Sequence, residues 1–269
     1  MVNPYERDSR SAARTARTAS AGRWIIVGVV ALGLGSITYF WWTSRARPIA
    51  APPAATSETD VAVGSHRPKR QPMEIPALDL SDAFVREVVS KLSTSPILER
   101  LLATKDVVRA AALAVEMISD GKTPTVPLRP LRPATRLAIS SEESGHITAA
   151  SYARWDAAAT TLTAIRPNEA AQCYVNIKEL FDAAYHELGH PDSSFDTAIV
   201  RAIQELRDTP EITTEPTLVR KPGYFEHADP ALAALPPVQK QFLLIGPQNR
   251  TRVIEWLKAF AAALELKID

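Results

Sequence analysis

The sequence predicts a mainly α-helical protein in four parts: a disordered basic tail (1–23), a single-pass transmembrane helix (24–42), a disordered proline- and alanine-rich linker (43–77), and one helical globular domain with a minor β-hairpin (78–269). Three observations carry this reading. The run from Trp24 to Trp42, WIIVGVVALGLGSITYFWW, holds no charged side chain. Six prolines fall between Thr43 and Ala77. From Ser81 onward, apolar residues recur with the spacing of a helix face.

The tail is rich in Ser, Ala, Thr and Arg and has no apolar periodicity, so it cannot bury enough surface to fold. The uncharged run, at 1.5 Å rise per residue, makes a helix of about 28 Å, which matches a hydrocarbon core of about 30 Å. Trp24 at one end and Tyr39, Phe40, Trp41 and Trp42 at the other suit the headgroup layers. A cleaved signal peptide would instead need a shorter apolar run followed by small residues. Arg7, Arg10, Arg14, Arg17 and Arg23 precede the run, whereas Arg45 and Arg47 follow it closely. This bias places the N-terminus in the cytoplasm and the domain on the far side.

Residues 1–77 carry ten basic and five acidic side chains, a net +5, which leaves −4 on the remainder of a chain at +1. A nucleic-acid binder concentrates positive charge on its folded part, so that class is excluded and no nucleic-acid partner is expected. The positive charge lies where it favours an anionic bilayer. In the linker, Pro48, Pro52, Pro53, Pro68, Pro72 and Pro76 rule out regular structure, and Arg67, Lys69 and Arg70 read as solvated linker charges.

Within the domain, Phe84, Val85, Val88, Val89 and Leu92 mark a first helix after Ser81. Ser95 with Pro96 starts a second, and Asp106 a third that Gly121 stops. Pro124, Pro127, Pro130 and Pro133 recur every third residue, the period of polyproline II, which predicts an extended strap across the helices. RLAIS and HITA around Glu143 to Gly145 predict the hairpin. Asn168 is expected to cap the longest helix, with Tyr174, Ile177, Phe181, Ala184 and Leu188 on its buried stripe and Gly189 at its end. Ser193 or Ser194, Pro230, Pro237 and Pro247 start the remaining helices, and TLVRK at 217–221 reads as a strand. The single cysteine, Cys173, falls in a helical pattern and reads as core filler, with an intermolecular bridge as the alternative.

One motif has a catalytic spelling: HELGH at 186–190 matches H-E-x-x-H, in which two histidines one turn apart hold zinc and the glutamate activates water. A zinc-dependent hydrolase using His186, Glu187 and His190 is therefore the alternative function. Gly189 and Pro191 flank His190, which predicts that His190 lies past the helix end. His186 falls opposite the buried stripe, and Ser193 and Asp196 stand where an extended zinc motif has Gly and His. His190 is expected to meet the last carbonyls of its own helix. No metal or other cofactor is expected, and no catalytic residue is assigned. Arg154, Trp155, Arg220 and Tyr224, with Lys221, form the candidate ligand-binding set, because Arg and aromatic side chains dominate recognition surfaces.

LDLSDAFVREVVSKL, GKTPTVPLRPLRP, YARWD, FDAAYHELGHP and LVRKPGYFEHADPALAALPPVQKQFLLIGPQN follow one another behind the uncharged run and the proline-rich linker. In this order they resemble a bacterial membrane-anchored family catalogued as domain of unknown function 3014, over about residues 78–265. The resemblance implies an envelope protein with an anchor and brings no activity or catalytic residue. The expected function is a non-catalytic protein or envelope-polymer interaction module. It would be held at the bacterial inner membrane by the lipid contacts of residues 24–42, with an envelope protein as partner and the C-terminal domain in the periplasm. A ligand sensor is disfavoured, since the 23-residue tail leaves no room for an output domain.

Overall fold

The structure, a computed structural model, describes residues 67–212 and 214–268. The expected basic tail, the membrane helix at 24–42 and the linker up to residue 66 lie outside the described residues. Among the described residues, no helix is long and apolar enough to cross a membrane.

The expected helices form, and short-range signals set most of their limits. α1 (Asp82–Ser90) leads to α2 (Pro96–Leu102), whose N-cap Ser95 accepts from the Ile97 N–H at 3.3 Å. α3 (Val107–Ser119) follows, and then the proline-rich stretch. That stretch corrects an expectation. Residues 125–128 form turns and Arg129–Leu131 a 3₁₀ turn, with Leu128 N–H donating to the Pro124 carbonyl at 3.1 Å and Leu131 N–H to that of Leu128 at 2.9 Å. A 3₁₀ helix also repeats every three residues and accepts the φ of proline, so a three-residue proline period fits it as well as polyproline II. Pro124 and Pro127 are buried, and the 3₁₀ turn packs on α2.

α4 (Ala149–Ala153) and α5 (Asp156–Ala164) precede the longest helix, α6 (Pro167–Glu187), which starts one residue before the expected Asn168, with Pro167 in its first turn. α7 (Phe195–Arg207) is capped by Ser194, and α8 (Pro230–Ala233), α9 (Pro237–Leu243) and α10 (Pro247–Ala263) complete the chain. The core sits around α6, which packs against α3 and α10, while α3 lies along α7. Ala112, Ala171, Ala198 and Ala261, one from each of these four helices, are fully buried and allow close approach. Phe181 stacks on Phe195 with centroids 5.0 Å apart, and Tyr174 packs beside both. Cys173 lies in this cluster, where burial pushes its thiol up to about 11. Leu188, expected on the buried stripe, is exposed because the helix has ended by then.

The expected hairpin is one part of a small three-stranded antiparallel sheet of β1 (Ser144–His146), β2 (Thr217–Lys221) and β3 (Tyr224–His227) in the order β1-β2-β3. Ile139 bridges Ile147, as a hairpin there requires. Ser144 and Gly145, however, are strand residues facing Val219 and Leu218 rather than a turn. An isolated two-stranded ribbon is marginal, and β2 supplies the missing partner from about 70 residues away.

Residues 67–77, the last part of the expected linker, lie extended along α6. Asn176 Oδ1 accepts from the Gln71 N–H at 3.0 Å, and Gln172 Nε2 donates to the Lys69 carbonyl at 2.9 Å. Arg67 pairs with Asp196 at 2.8 Å and Arg70 with Glu179. These two arginines are ion-paired to the domain rather than solvated linker charges.

Candidate functional site

The HELGH stretch sits where α6 ends against α3. Gly189 adopts φ 102°, a left-handed value that glycine reaches without a Cβ penalty, and the chain turns out of the helix there. His190 is thereby past the helix end, as expected, but its partner is not. Its Nε2 lies 2.7 Å from Glu116 Oε1 of α3, and its ring stacks on Tyr185 at 4.3 Å. The left-handed turn aims the chain across at α3 instead of back over its own last carbonyls. Tyr185, buried in the core, accepts at its hydroxyl from Arg201 Nη2 at 3.0 Å, and Arg201 also reaches Glu116 at 3.4 Å. Burial raises the Tyr185 pKa, with the Glu116 charge adding to the effect and Arg201 opposing it.

Glu187 is held in a second brace. Arg109 donates to it through Nε at 2.5 Å and Nη2 at 2.7 Å, and to Asp79 at 2.6 Å. These hydrogen bonds hold Arg109 more firmly charged and set the Glu187 carboxyl below its usual range. His186 is exposed. The H-E-x-x-H arrangement, with both rings on one face of one helix and a free glutamate between them, is therefore not formed. Among the described residues, no three His, Cys, Asp or Glu side chains are grouped to hold a metal ion. Arg109 and Glu116 escaped the sequence reading because their partners are 78 and 74 residues away.

Three exposed leucines flank these braces. Leu113 stands on α3 between Arg109 and Glu116 and is 37% exposed; Leu188 follows Glu187 and is 38% exposed; Leu80 follows Asp79 and is 75% exposed. Asp79, Asp106 and Glu187 face one guanidinium, so the rim around the leucines carries net negative charge.

The candidate ligand-binding set falls in two places. Arg154, at the end of α4, donates to the Ser151 carbonyl at 2.7 Å and to that of Thr135 at 3.2 Å, and burial lowers its pKa. Trp155 follows it as the N-cap of α5. On the sheet, Arg220 donates to the Glu142 carbonyl at 2.6 Å and lies over the Phe225 ring at 4.9 Å. Arg220 pairs with Phe225 and Lys221 with Tyr224, so strand alternation puts Arg220 and Tyr224 on opposite faces. Tyr224 is exposed, and Lys221 approaches Glu226 at 3.6 Å. No hydrogen bond or ion pair among the described residues joins Arg154 or Trp155 to Arg220 or Tyr224.

No curated protein and no solved structure matches the chain. A family model described as "Protein of unknown function (DUF3014)" matches residues 107–261, more than half of the chain and the whole span from α3 to the end of α10 but for its last two residues. Arg109, Glu116, Glu187 and His190 all lie within that match. The chain belongs to the DUF3014 family of proteins of unknown function.

Proposed function

We propose that this protein is a membrane-anchored component of the bacterial cell envelope whose helical domain is a non-catalytic module for binding another protein at the α3–α6 junction. The observation that carries this reading is the exposure of Leu80, Leu113 and Leu188 around the Arg109 braces. Apolar side chains with a charged rim are the anatomy of a protein-binding surface. The acidic rim suits a partner with apolar anchor residues surrounded by basic ones. A sugar polymer would offer no apolar side chain to cover the leucines. The uncharged run at 24–42 and the arginines before it support an inner-membrane anchor with the domain in the periplasm. Arg67, paired to Asp196, is where the linker from that anchor meets the domain.

The test is site-specific photocrosslinking of the full-length chain in membranes, with the reactive residue at 113, at 188, or at exposed Glu255 on α10 as control. A discrete adduct from 113 and 188, absent from 255 and lost when the other leucine is changed to Asp, supports the reading. Equal labelling from all three positions overturns it. Release of the chain from membranes by alkaline carbonate would overturn the anchor separately.

A further inference from the structure

Residues 67–71, with the sequence RPKRQ, lie against α6, the start of α7 and the end of α10, and are held there through backbone and side chain alike. Glu265 Oε1 accepts from the Arg67 N–H at 2.8 Å, and Asp196 Oδ2 accepts from Arg67 Nη2 at 2.8 Å. Further along, Gln172 Nε2 donates to the Lys69 carbonyl at 2.9 Å and Asn176 Oδ1 accepts from the Gln71 N–H at 3.0 Å, while Glu179 accepts from Arg70. Gln172, Asn176 and Glu179 are spaced four and three residues apart, so they form one polar stripe along α6.

Three features distinguish this seat from ordinary core packing. Its groups are held by one another as well as by the segment: Tyr174 donates to Asp196 Oδ1 at 2.6 Å, and Gln172 Nε2 to Asn176 Oδ1 at 2.9 Å. Glu265 stands in the left-handed turn that ends α10, at φ 55°, where glycine is favoured, and its carboxylate reaches the Arg67 N–H. The seat is also polar. Water can replace each of its hydrogen bonds at little net cost, whereas Ile75 and Leu78, just beyond, pack against the apolar core. Charge matches as well, since Glu179, Asp182, Asp196 and Glu265 against Lys178 leave −3, and Arg67, Lys69 and Arg70 bring +3.

We infer that this groove recognises an extended basic peptide, and that residues 67–71 are a built-in occupant which a basic segment of another protein displaces. Gln172, Asn176 and Glu265 hold main-chain groups and so supply affinity for any extended chain, while Asp196 and Glu179 select arginines three residues apart. The chain's own segment is kept at high effective concentration by Ile75 and Leu78, which stay in the core when 67–71 lifts away. A second copy of the chain offers the same contacts without that attachment, so it does not compete. Occupancy therefore keeps the groove closed until a better-matched basic segment arrives. The inference does not rest on the leucine surface, which is built from other residues.

The test uses a fluorescent peptide with the sequence of residues 65–74, SHRPKRQPME, added to the full-length chain and to a full-length chain in which 67–71 is replaced by glycine and serine. Fluorescence anisotropy should show saturable binding to the emptied chain, at least tenfold tighter than to the wild type. Asp196→Asn and, separately, Asn176→Ala in the emptied chain should each weaken it at least fivefold, as should replacing both arginines of the peptide with glutamine. The inference is overturned by no saturable binding to the emptied chain, by equal binding to both chains, or by binding that survives Asp196→Asn. An emptied chain that circular dichroism shows to be unfolded also overturns it, because 67–71 is then a structural part of the domain. Wild-type dimers that disappear in the emptied chain overturn it too, in favour of a second copy as the occupant.

Discussion

The Asp82 carboxylate of α1 accepts from the backbone N–H groups of Asp106 at 3.0 Å and Val107 at 2.9 Å, and so caps a helix to which it does not belong. Asp106, the local N-cap of α3, has φ 53° and makes no capping bond of its own. Removing the cap with Asp82→Ala should cost about 1–2 kcal/mol in denaturant unfolding. Burial pushes the Asp82 pKa up, but the two N–H groups and Arg86 together bring it below the usual value. A depressed carboxylate contributes stability that is fully present above the unfolded pKa of about 4 and is lost as pH falls through the folded value. The wild-type chain should therefore lose stability more steeply than Asp82→Asn as pH falls below the unfolded value of about 4.

Removing one side chain should loosen the extended segment. Asn176 is buried and its Oδ1 accepts from both Gln71 N–H and Gln172 Nε2. Asn176→Ala should speed tryptic cleavage after Lys69 and Arg70 several-fold, while the helical core, read by circular dichroism, stays folded. Because the Arg67 and Arg70 pairs are screened by salt, cleavage of the wild-type chain should also quicken at high ionic strength.

Gly246 has φ 89°, and a Cβ there would stand 2.9 Å from Tyr152 Cδ1. Gly246→Ala meets both a strained backbone and a ring it cannot displace without moving α4. A loss of about 2 kcal/mol or more is expected in denaturant unfolding, larger than for Gly189→Ala, where φ is also positive but the space is open.

Glu187→Gln distinguishes a brace from a catalytic base. The bidentate bond to Arg109 should lose its charged half, lowering the thermal midpoint slightly, and the difference from wild type should shrink in high salt. Zinc content after exposure to the metal and dialysis should be the same in both chains. A zinc hydrolase would instead retain stoichiometric zinc through His186 and His190 and lose turnover on this substitution.

Helix existence, order and most starts were legible because they rest on neighbours in the chain: apolar spacing at Val85 and Ile177, and caps or prolines at Ser95, Ser194, Pro230 and Pro247. Periodicity alone left the proline run ambiguous, since two backbone helices share a three-residue repeat. It also left HELGH with two readings. The sequence by itself determined that His190 leaves its helix, because Gly189 and Pro191 act locally. Only tertiary packing decided where that ring and Glu187 go, through Glu116 and Arg109, whose distance along the chain hides them from any local pattern. The same packing placed Arg250 of the last helix beside the 209–210 segment, where its Nη2 donates to the Thr209 and Pro210 carbonyls.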